Sequence, residues 1–568
     1  MHPCLCVDEI IRRIAHELVT SGGRATSVAL ACCGKTLEDP ILDVLWETQG
    51  SLLPLLKSLA GDVWNEGECT VSPPTIYALS LLNCLIWKSF QRLPTTMEWA
   101  RFMKYAQSMR SLYVQCGQYS EVLSVLQLCA VDKPLFPNLE YISLGYPTRD
   151  FIPSTPLFLS PRTTTISVTF NTPSTLPKAM VASMITTFPT LCPNLQGLYL
   201  NSLPRDPMIT AGVSKMILAS NRNTLQRLTV DSPLTEAAYG MIFKLPNLRN
   251  LLVVIEGDIL LPSVTLPNLT NITIKYHHDR YCLQLFRGAT FGKLASVTFH
   301  SESESIGNFL EEFESLALTI SISDTLSSFA FYTLRSWRPN YRSLLSFTHL
   351  TGLMINSSCQ GGCSSTVDDD IIIDIARAMP GLGNLQLGNP CQTPTGITAK
   401  GLAALAHYCP HLSTLCIHFQ VASLDLPAIP GDAYSGEPTT PREDCALTCL
   451  NVGRMPLPEE SVLVVALTLL HIFPRIIYLG YSGEGWRKVA DAITRSKQLV
   501  HRSSKKRSLA PPWSKFDDTS LRGHFRECYV IKKCSGVLDR SNFTPTTIPL
   551  RILPVPPTLH RPRAAPLV

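Results

Sequence analysis

The sequence predicts an α/β protein whose strands and helices alternate along most of the chain, after a small helical domain. Two observations predict this fold class. A motif of the form Pro-x-Leu-x-x-Leu-x-Leu recurs along the sequence, and a helix-like apolar segment precedes several of its copies. Repetition also accommodates the length of 568 residues, because each unit buries its apolar face against the next one.

The repeated motif reads as a short strand whose alternate side chains point inward. Most of its copies are spaced by about 21 to 35 residues, near the range of leucine-rich repeats. Their first leucine-type positions are Leu139, Leu195, Leu225, Leu248, Leu269, Leu294, Leu350, Leu382, Leu412, Leu447 and Ile476. Weaker copies around Ile166 and Leu326 fill the longest gaps, and "MRSLYV" (109–114) precedes the first copy. We therefore expect a degenerate leucine-rich-repeat solenoid over residues 108–494, without a regular asparagine ladder.

Side chains between the buried leucines are expected to face the concave surface of this solenoid. Tyrosine and arginine are favoured anchors in protein interfaces, so a protein target is the expected occupant of that surface. The candidate contact residues are Tyr141, Tyr199, Arg227, Asp231, Lys275, His300, Gln386, His418 and Tyr478.

The first fifty residues predict three short helices. Asp8 is expected to cap the first, and Thr26 or Ser27 the second, after a Gly-Gly break. Pro40 is expected in the first turn of the third helix, whose apolar stripe ends at Trp46. Helices this short bury little surface alone, so a domain of this kind usually relies on a partner.

This N-terminal segment resembles the F-box, and most closely its fungal form. The matching residues are Glu9, Ile10, Ile11 and Ile14 in the first helix, Ala29 to Lys35 in the second, and Asp39, Pro40, Leu45 and Trp46 in the third. The resemblance implies that residues 1–50 bind the Skp-type linker of a cullin-RING ubiquitin ligase. The residues implied for that contact are Ile10, Ile11, Ile14, Leu18, Leu30, Pro40, Leu45 and Trp46.

Residues 51–107 are predicted to form a mostly helical linker. Its segment "EWARFMKYA" also resembles fungal F-box proteins, with Trp99, Phe102 and Tyr105 on one helical face where they can cap the first repeat. Residues 495–568 are basic and then proline-rich without periodicity, which predicts a disordered tail.

Composition excludes several classes of function. A net charge of +5 spread over the whole chain does not predict nucleic-acid binding, and no apolar run reaches the ~20 residues that span a bilayer. The N-terminus lacks the pattern of a secretory signal, so the 19 cysteines are expected to be reduced, in the cytoplasm or nucleus.

Cys32 and Cys33 are interpreted as packing residues, at least one of them buried. No motif predicts a catalytic group, a metal site or a cofactor, and the lone pair Cys359 and Cys363 lacks a second pair.

These observations favour a non-catalytic substrate-recognition adaptor of a Skp/cullin/F-box ubiquitin ligase. In that hypothesis the N-terminal helices bind the linker and the solenoid holds an unknown target protein. The family's opening Leu-Pro pair is replaced here by "LCVD" (5–8), which motivates an alternative. In the alternative, the chain is a leucine-rich-repeat scaffold that binds partners without a ligase. A cysteine-dependent enzyme is a third possibility, and it requires a thiol with a depressed pKa.

Overall fold

The computed structural model describes most of the chain up to Ser508. The described residues are 7–68, 86–130, 134–171, 176–219, 223–257, 264–303, 308–319, 322–333, 340–357, 367–387, 395–420, 445–453, 457–481 and 483–508. The chain divides into two compact units, Met1–Arg495 and Ser496–Val568. The first unit contains every described strand.

Helices and strands alternate along the described residues. The helices are α1 (Asp8–Thr20), α2 (Arg24–Ala31), α3 (Lys35–Glu47), α4 (Leu53–Leu56), α5 (Thr96–Ser108), α6 (Ser120–Cys129), α7 (Lys178–Leu191), α8 (Pro207–Leu218), α9 (Glu236–Ile242), α10 (Asp279–Arg287), α11 (Phe309–Thr319), α12 (Asp369–Ala378), α13 (Ala399–Tyr408), α14 (Val462–Ile472) and α15 (Glu484–Ser508). The strands are β1 (Thr48–Gln49), β2 (Trp64–Glu68), β3 (Ile86–Phe90), β4 (Ser111–Gln115), β5 (Tyr141–Gly145), β6 (Thr165–Thr169), β7 (Gly197–Asn201), β8 (Arg227–Pro233), β9 (Asn250–Ile255), β10 (Val264–Leu266), β11 (Asn271–Tyr276), β12 (Ala289–Phe291), β13 (Ser296–Ser301), β14 (Ser328–Thr333), β15 (Gly352–Ser357), β16 (Asn384–Leu387), β17 (Thr414–Ile417), β18 (Cys449–Gly453) and β19 (Tyr478–Tyr481).

One large parallel sheet dominates the fold. It has 15 strands in the order β1, β4 to β9, β11 and β13 to β19, so strand order follows chain order and the sheet does not close on itself. Each full copy of the motif starts a strand two residues after its first leucine, as in Leu139 before β5 and Leu412 before β17. The weaker copies around Ile166 and Leu326 form β6 and β14. The prediction of an α/β fold with a parallel sheet is confirmed.

Alternation along each strand divides the sheet into a buried and an outward face. In β11, Ile272, Ile274 and Tyr276 are buried, whereas Thr273 and Lys275 between them are partly exposed. The buried side chains of successive strands and the helices between them form one continuous apolar core. The interior of this array is therefore shared between neighbouring units, as a repeat architecture requires.

A partial ladder of side-chain hydrogen bonds links neighbouring units. In the copies that read Pro-Asn-Leu, Asn138, Asn194, Asn247 and Asn268 donate from Nδ2 to a backbone carbonyl of the preceding unit, at 2.7, 3.3, 2.7 and 2.9 Å respectively. In each of these copies the amide satisfies a backbone carbonyl between two units. Hydroxyl residues that follow the first leucine, such as Thr270 and Thr351, make a second kind of bond to a carbonyl of the preceding unit. The expectation concerned a regular asparagine ladder, and bonds made in the Pro-Asn-Leu copies do not contradict it.

The segment between the N-terminal helices and the first full repeat differs from the helical linker that the sequence predicts. It contains the short helix α4, the antiparallel pair β2 and β3, and then α5. Aromatic and β-branched residues are concentrated in β3, "IWKSF", and such residues favour strands over helices. Helix α5 begins as a capping box, in which Thr95 and Glu98 bond each other's backbone N–H groups.

The C-terminal end of the repeat region also differs from expectation. The periodic part of the chain was expected to end at residue 494, but α15 continues to Ser508. Within the first unit, Trp486 and Val489 of this helix are buried against the core of the array. Residues 509–568, for which disorder is the prediction, lie outside the described residues.

Candidate partner-binding surfaces

The first three helices form a unit with its own small core. Its buried residues are Ile11, Ala15, Ala31, Leu37, Ile41, Val44 and Leu45, and this cluster is separate from the core of the repeat array. The helix boundaries differ in detail from expectation. Val7 rather than Asp8 occupies the N-cap position of α1, α2 begins at Arg24, and α3 begins at Lys35, so Pro40 lies inside α3 beyond its first turn.

Three of the residues implied for the linker contact are buried in the described structure. Ile11 is 2% exposed, Leu45 is 9% exposed, and Pro40 is buried inside α3. Ile11 faces α3 and not the surface, since it packs in the same cluster as Ile41. The expectation of a direct partner contact is corrected for these three residues. A buried side chain stabilises the three-helix unit and is not accessible to a partner.

Trp46 has a different neighbour from the one that the resemblance implies. Its ring stacks on Tyr105 of α5, with ring centroids 4.5 Å apart and ring planes 15° from parallel. Trp46 is half-buried and packs against the core of the array, as Tyr105 does. The ring therefore joins the three-helix unit to the helix that precedes the first repeat.

Three of the other predicted residues, Ile10, Ile14 and Leu18, form an apolar stripe on the outside of α1. Ile10 and Ile14 are 40% and 37% exposed, and Leu18 is half-buried one turn further along. Val7 extends the stripe at the other end, since residues spaced by three or four share one face of a helix. Val7 was not among the predicted contact residues, although it lies three residues before Ile10, a spacing typical of residues on one helical face.

Helix α2 adds a second apolar element to this unit. Leu30, which the resemblance implies as a contact, is half-buried there. Val28 is 50% exposed on the same helix and was also missed by sequence reasoning. We call the set Val7, Ile10, Ile14, Leu18, Val28 and Leu30 the N-terminal apolar surface.

Polar contacts fix the three-helix unit to α5. Arg12 of α1 pairs with Asp43 of α3 at 2.7 Å, and Asp43 also accepts a hydrogen bond from Ser108 of α5 at 2.9 Å. Lys104 of α5 pairs with Asp39 of α3 at 3.0 Å. These groups are largely exposed, so each pair contributes less than about 1 kcal/mol. Their main effect is to fix the orientation of α3 relative to α5.

The backbone makes the same connection. Directly after α3, strand β1 pairs in parallel with β4, the first strand of the repeat region. The N–H of Arg110 donates to the carbonyl of Glu47 at 2.9 Å, at the start of this pairing. The three-helix unit is thus continuous with the edge of the large sheet.

The outward face of the sheet carries most of the candidates for target contact. Strand alternation places Tyr141, Tyr199, Arg227, Asp231, Lys275, His300, Gln386 and Tyr478 at outward positions, all partly or fully exposed. His418 does not belong to this set, because it is buried at 6% exposure. Strand β17 ends at Ile417, so the alternation stops there, and the carbonyl of His418 accepts a hydrogen bond from the Thr395 hydroxyl.

Some outward candidates contact each other. Lys275 pairs with Asp231 at 2.8 Å, although β9 lies between their strands. His300 stacks on Tyr332, with ring centroids 4.7 Å apart. Burial lowers the pKa of His300, and the nearby Lys275 charge lowers it further, so neutral imidazole is favoured. Sequence reasoning missed Tyr332, which lies in a weak copy of the motif. Gln386 and Tyr478 lie further along the sheet, on β16 and β19.

A further ionic group lies beyond the ends of these strands. His277 lies 3.1 Å from Glu256 and 3.3 Å from Glu302, and Arg205 also pairs with Glu256. Nothing in the sequence pattern predicted this group, because its members come from four different units. Within the part of the chain that the structure describes, no group of three or more His, Cys, Asp and Glu side chains could hold a metal ion.

The described cysteines range from buried to exposed. Burial raises the pKa of Cys192 and Cys409 to about 12, and raises those of Cys116 and Cys282 well above the ordinary value. Such thiols are poor nucleophiles because they stay protonated. Cys32 and Cys33 are both exposed, which corrects the expectation that at least one is buried. They lie in the turn directly after α2, which ends at Ala31. Cys359 and Cys363 lie outside the described residues.

Comparisons with known proteins identify no family for this chain. No protein-family model matches it, and no curated protein matches it. In the described residues, no helix is both long and apolar enough to cross a membrane.

Proposed function

We propose that this protein is a substrate-recognition adaptor of a Skp/cullin/F-box ubiquitin ligase in the cytoplasm or nucleus. The three-helix unit is then an F-box that binds the Skp-type linker, and the strand-and-helix array is a leucine-rich-repeat solenoid that binds a target protein. The covalent chemistry belongs to other ligase subunits, and this chain contributes proximity and orientation.

The N-terminal apolar surface is the observation that carries the proposal. A small helical unit that already has its own core still exposes Val7, Ile10, Ile14 and Val28. Exposed apolar side chains that cluster on one small unit are typical of protein–protein interaction sites. They belong to the segment whose sequence resembles the F-box, and they coincide with its implied linker contacts at Ile10 and Ile14. The occupant we propose is therefore the linker.

The attachment of the three-helix unit to the array supports the same function. The stack of Trp46 on Tyr105 and the pairing of β1 with β4 connect the two parts directly. An adaptor has to hold its target at a defined distance from the conjugating enzyme, and a stiff connection reduces the entropy lost in reaching that geometry.

Co-elution of the full chain with the purified linker of its host tests this proposal. The informative variant is Ile14→Glu, which places a charge on the N-terminal apolar surface at a partly exposed position that α1 can tolerate. The matched control is His16→Glu, because His16 is exposed on the opposite side of the same helix. We expect the wild type and the control to co-elute with the linker and Ile14→Glu to elute alone. Failure of the folded wild type to bind contradicts the proposal.

A leucine-rich-repeat scaffold without a ligase is the second candidate. The segment "LCVD" (5–8) in place of the family's Leu-Pro pair favours it, because that pair is part of the family's linker contact. In this case the outward face of the sheet binds partners while the N-terminal apolar surface does not bind the linker. The co-elution experiment separates the two candidates.

A further inference from the structure

Four side-chain positions lie in one row across the outward face near the beginning of the sheet. The strand register aligns Tyr141 of β5, Thr165 of β6, Gly197 of β7 and Arg227 of β8. Neighbouring strands are about 4.8 Å apart, so Tyr141 and Arg227 are separated by about 14 Å along this row. Both side chains are therefore within reach of one bound peptide segment.

Gly197 lets Arg227 lie across its neighbouring strand. The Nη2 atom of Arg227 reaches within 3.5 Å of Thr165 Oγ1, over β7. A Cβ atom at position 197 would lie 3.1 Å from Thr165 Cγ2 and 3.4 Å from the ring of Tyr199. Because position 197 has no side chain, the surface of the sheet is recessed there, with Thr165 beneath the guanidinium and Tyr199 beside it. Thr165 is only 5% exposed, so this recessed surface is already largely desolvated.

The charge of Arg227 is not balanced by the sheet. The outward positions on the described strands of the array carry four charged or histidine side chains, Arg227, Asp231, Lys275 and His300. Asp231 pairs with Lys275 at 2.8 Å. Among the described residues no carboxylate forms an ion pair with Arg227. Its guanidinium donates a hydrogen bond to the neutral Thr165 hydroxyl. Most of its N–H donors thus face solvent.

We propose that Arg227 binds the carboxylate of an Asp or Glu side chain in an extended, unmodified segment of the target protein. A guanidinium donates two parallel hydrogen bonds to a carboxylate, and the single positive charge matches the single negative one. A phosphate, with nearly twice that charge, calls for a second cation, which the described outward positions around Arg227 lack. Tyr141 and Tyr199 then contact the residues that flank the acidic one. This inference rests on the proposed function for its target on the sheet and does not depend on linker binding.

Peptide libraries test the inference with the full chain. Three fluorescent libraries carry a fixed central residue, Glu, Gln or phosphoserine, with all other positions randomised, and binding is read by fluorescence polarisation. We expect the Glu library to bind about tenfold more tightly than the Gln library, the size of effect typical of a hydrogen-bonded charge. Arg227→Gln should remove that difference, and Arg227→Lys should reduce it because a lysine cannot make the paired bonds.

Arg249→Gln is the matched control. It removes the same charge from an exposed position just before β9, outside the outward row, and should leave the preference for Glu intact. The inference is overturned if the Glu and Gln libraries bind equally, if Arg227→Gln keeps the preference, or if phosphoserine binds more tightly than Glu. Co-elution with the linker is measured separately. Failure of the proposed ligase role would therefore appear as a loss of co-elution, and failure of this inference as a loss of the preference for Glu.

Discussion

The ring of Trp46 stacks on the ring of Tyr105 with a centroid distance of 4.5 Å. This contact joins the last of the three N-terminal helices to the helix that leads into the repeats. It lies beside the ion pair of Lys104 with Asp39 and the hydrogen bond from Ser108 to Asp43. The N-terminal unit and α5 therefore share an interface that combines an aromatic stack with polar contacts.

Trp46→Ala should loosen this interface. Removing a fully buried Trp or Phe costs about 3–5 kcal/mol, and we expect about 2 kcal/mol here because Trp46 is only half-buried. The measurement is hydrogen–deuterium exchange of the α3 amides in the full chain, whose opening free energy should fall by that amount. Trp46→Phe, which keeps a ring at the stack, should lose less than half as much. Unchanged exchange in the alanine variant would mean that the stack contributes nothing to this interface.

The N-terminus of α5 should be sensitive to acid through Glu98. Its carboxylate pairs with Arg92 at 2.8 Å and accepts a hydrogen bond from the Thr95 N–H at 2.7 Å. The Arg92 contact is the largest cause that lowers the pKa of Glu98 to about 2. Because the pKa is lower in the folded state, the stabilisation is present above the unfolded value of about 4.3 and is lost as the pH falls towards 2.

Hydrogen exchange of α5 between pH 2 and pH 6 measures this effect. Protection, corrected for intrinsic exchange, should rise with pH up to about 4.5 and then level off. Glu98→Gln should flatten that rise, whereas Glu9→Gln, at an exposed position of α1, should leave it unchanged. An identical pH profile in wild type and Glu98→Gln would contradict the assignment.

The asparagine ladder predicts a small and specific loss of stability. Asn247 donates to the carbonyl of Asn223 at 2.7 Å from an exposed position, so Asn247→Ala should lower the free energy of unfolding by about 0.5–1 kcal/mol. Urea denaturation with an unchanged m-value is the appropriate measurement. Asn250→Ala, at an outward position on β9, is the comparison, and it should change the free energy by less than about 0.5 kcal/mol. Equal effects at the two sites would refute the ladder.

Cysteine alkylation tests the possibility of a cysteine-dependent enzyme. At pH 8 we expect iodoacetamide to modify Cys32 and Cys33 first among the described cysteines, because both are exposed. Cys192 and Cys409, with pKa values raised to about 12 by burial, should react only after denaturation. Mass spectrometry of the native and denatured protein gives both rates. A single thiol that reacts far faster than Cys32 in the native protein would revive the enzyme hypothesis.

Much of the sheet could be predicted from sequence because each unit repeats the same physical pattern. Leucine spacing marks the strands, and even the weak copies around Ile166 and Leu326 form them, since a gap of double length in a stacked array has to contain another strand. Leucine spacing does not predict the bonds of Asn247 and Asn268, because they are made by the residue before each leucine.

The N-terminal contacts were harder to predict. Ile10, Ile11 and Ile14 lie close together on a helical wheel, so periodicity alone joins them into one stripe. Packing against α3 decides which of them is buried, and it selects Ile11 together with Ala15. Tertiary contacts likewise bury part of Trp46, through its stack on Tyr105. His418 was wrongly placed on the outward face because the alternation was extended one residue beyond the end of β17.

The most direct test of the account is to map where the Skp-type linker binds on the full chain. Hydrogen–deuterium exchange of the complex against the free protein reports this site residue by residue. The account predicts added protection in α1 around Ile10 and Ile14 and in α2 around Val28, with little change on the outward strands of the sheet. Protection confined to the sheet, or no protection at saturating linker, would contradict the claim that the N-terminal apolar surface is a ligase-docking site.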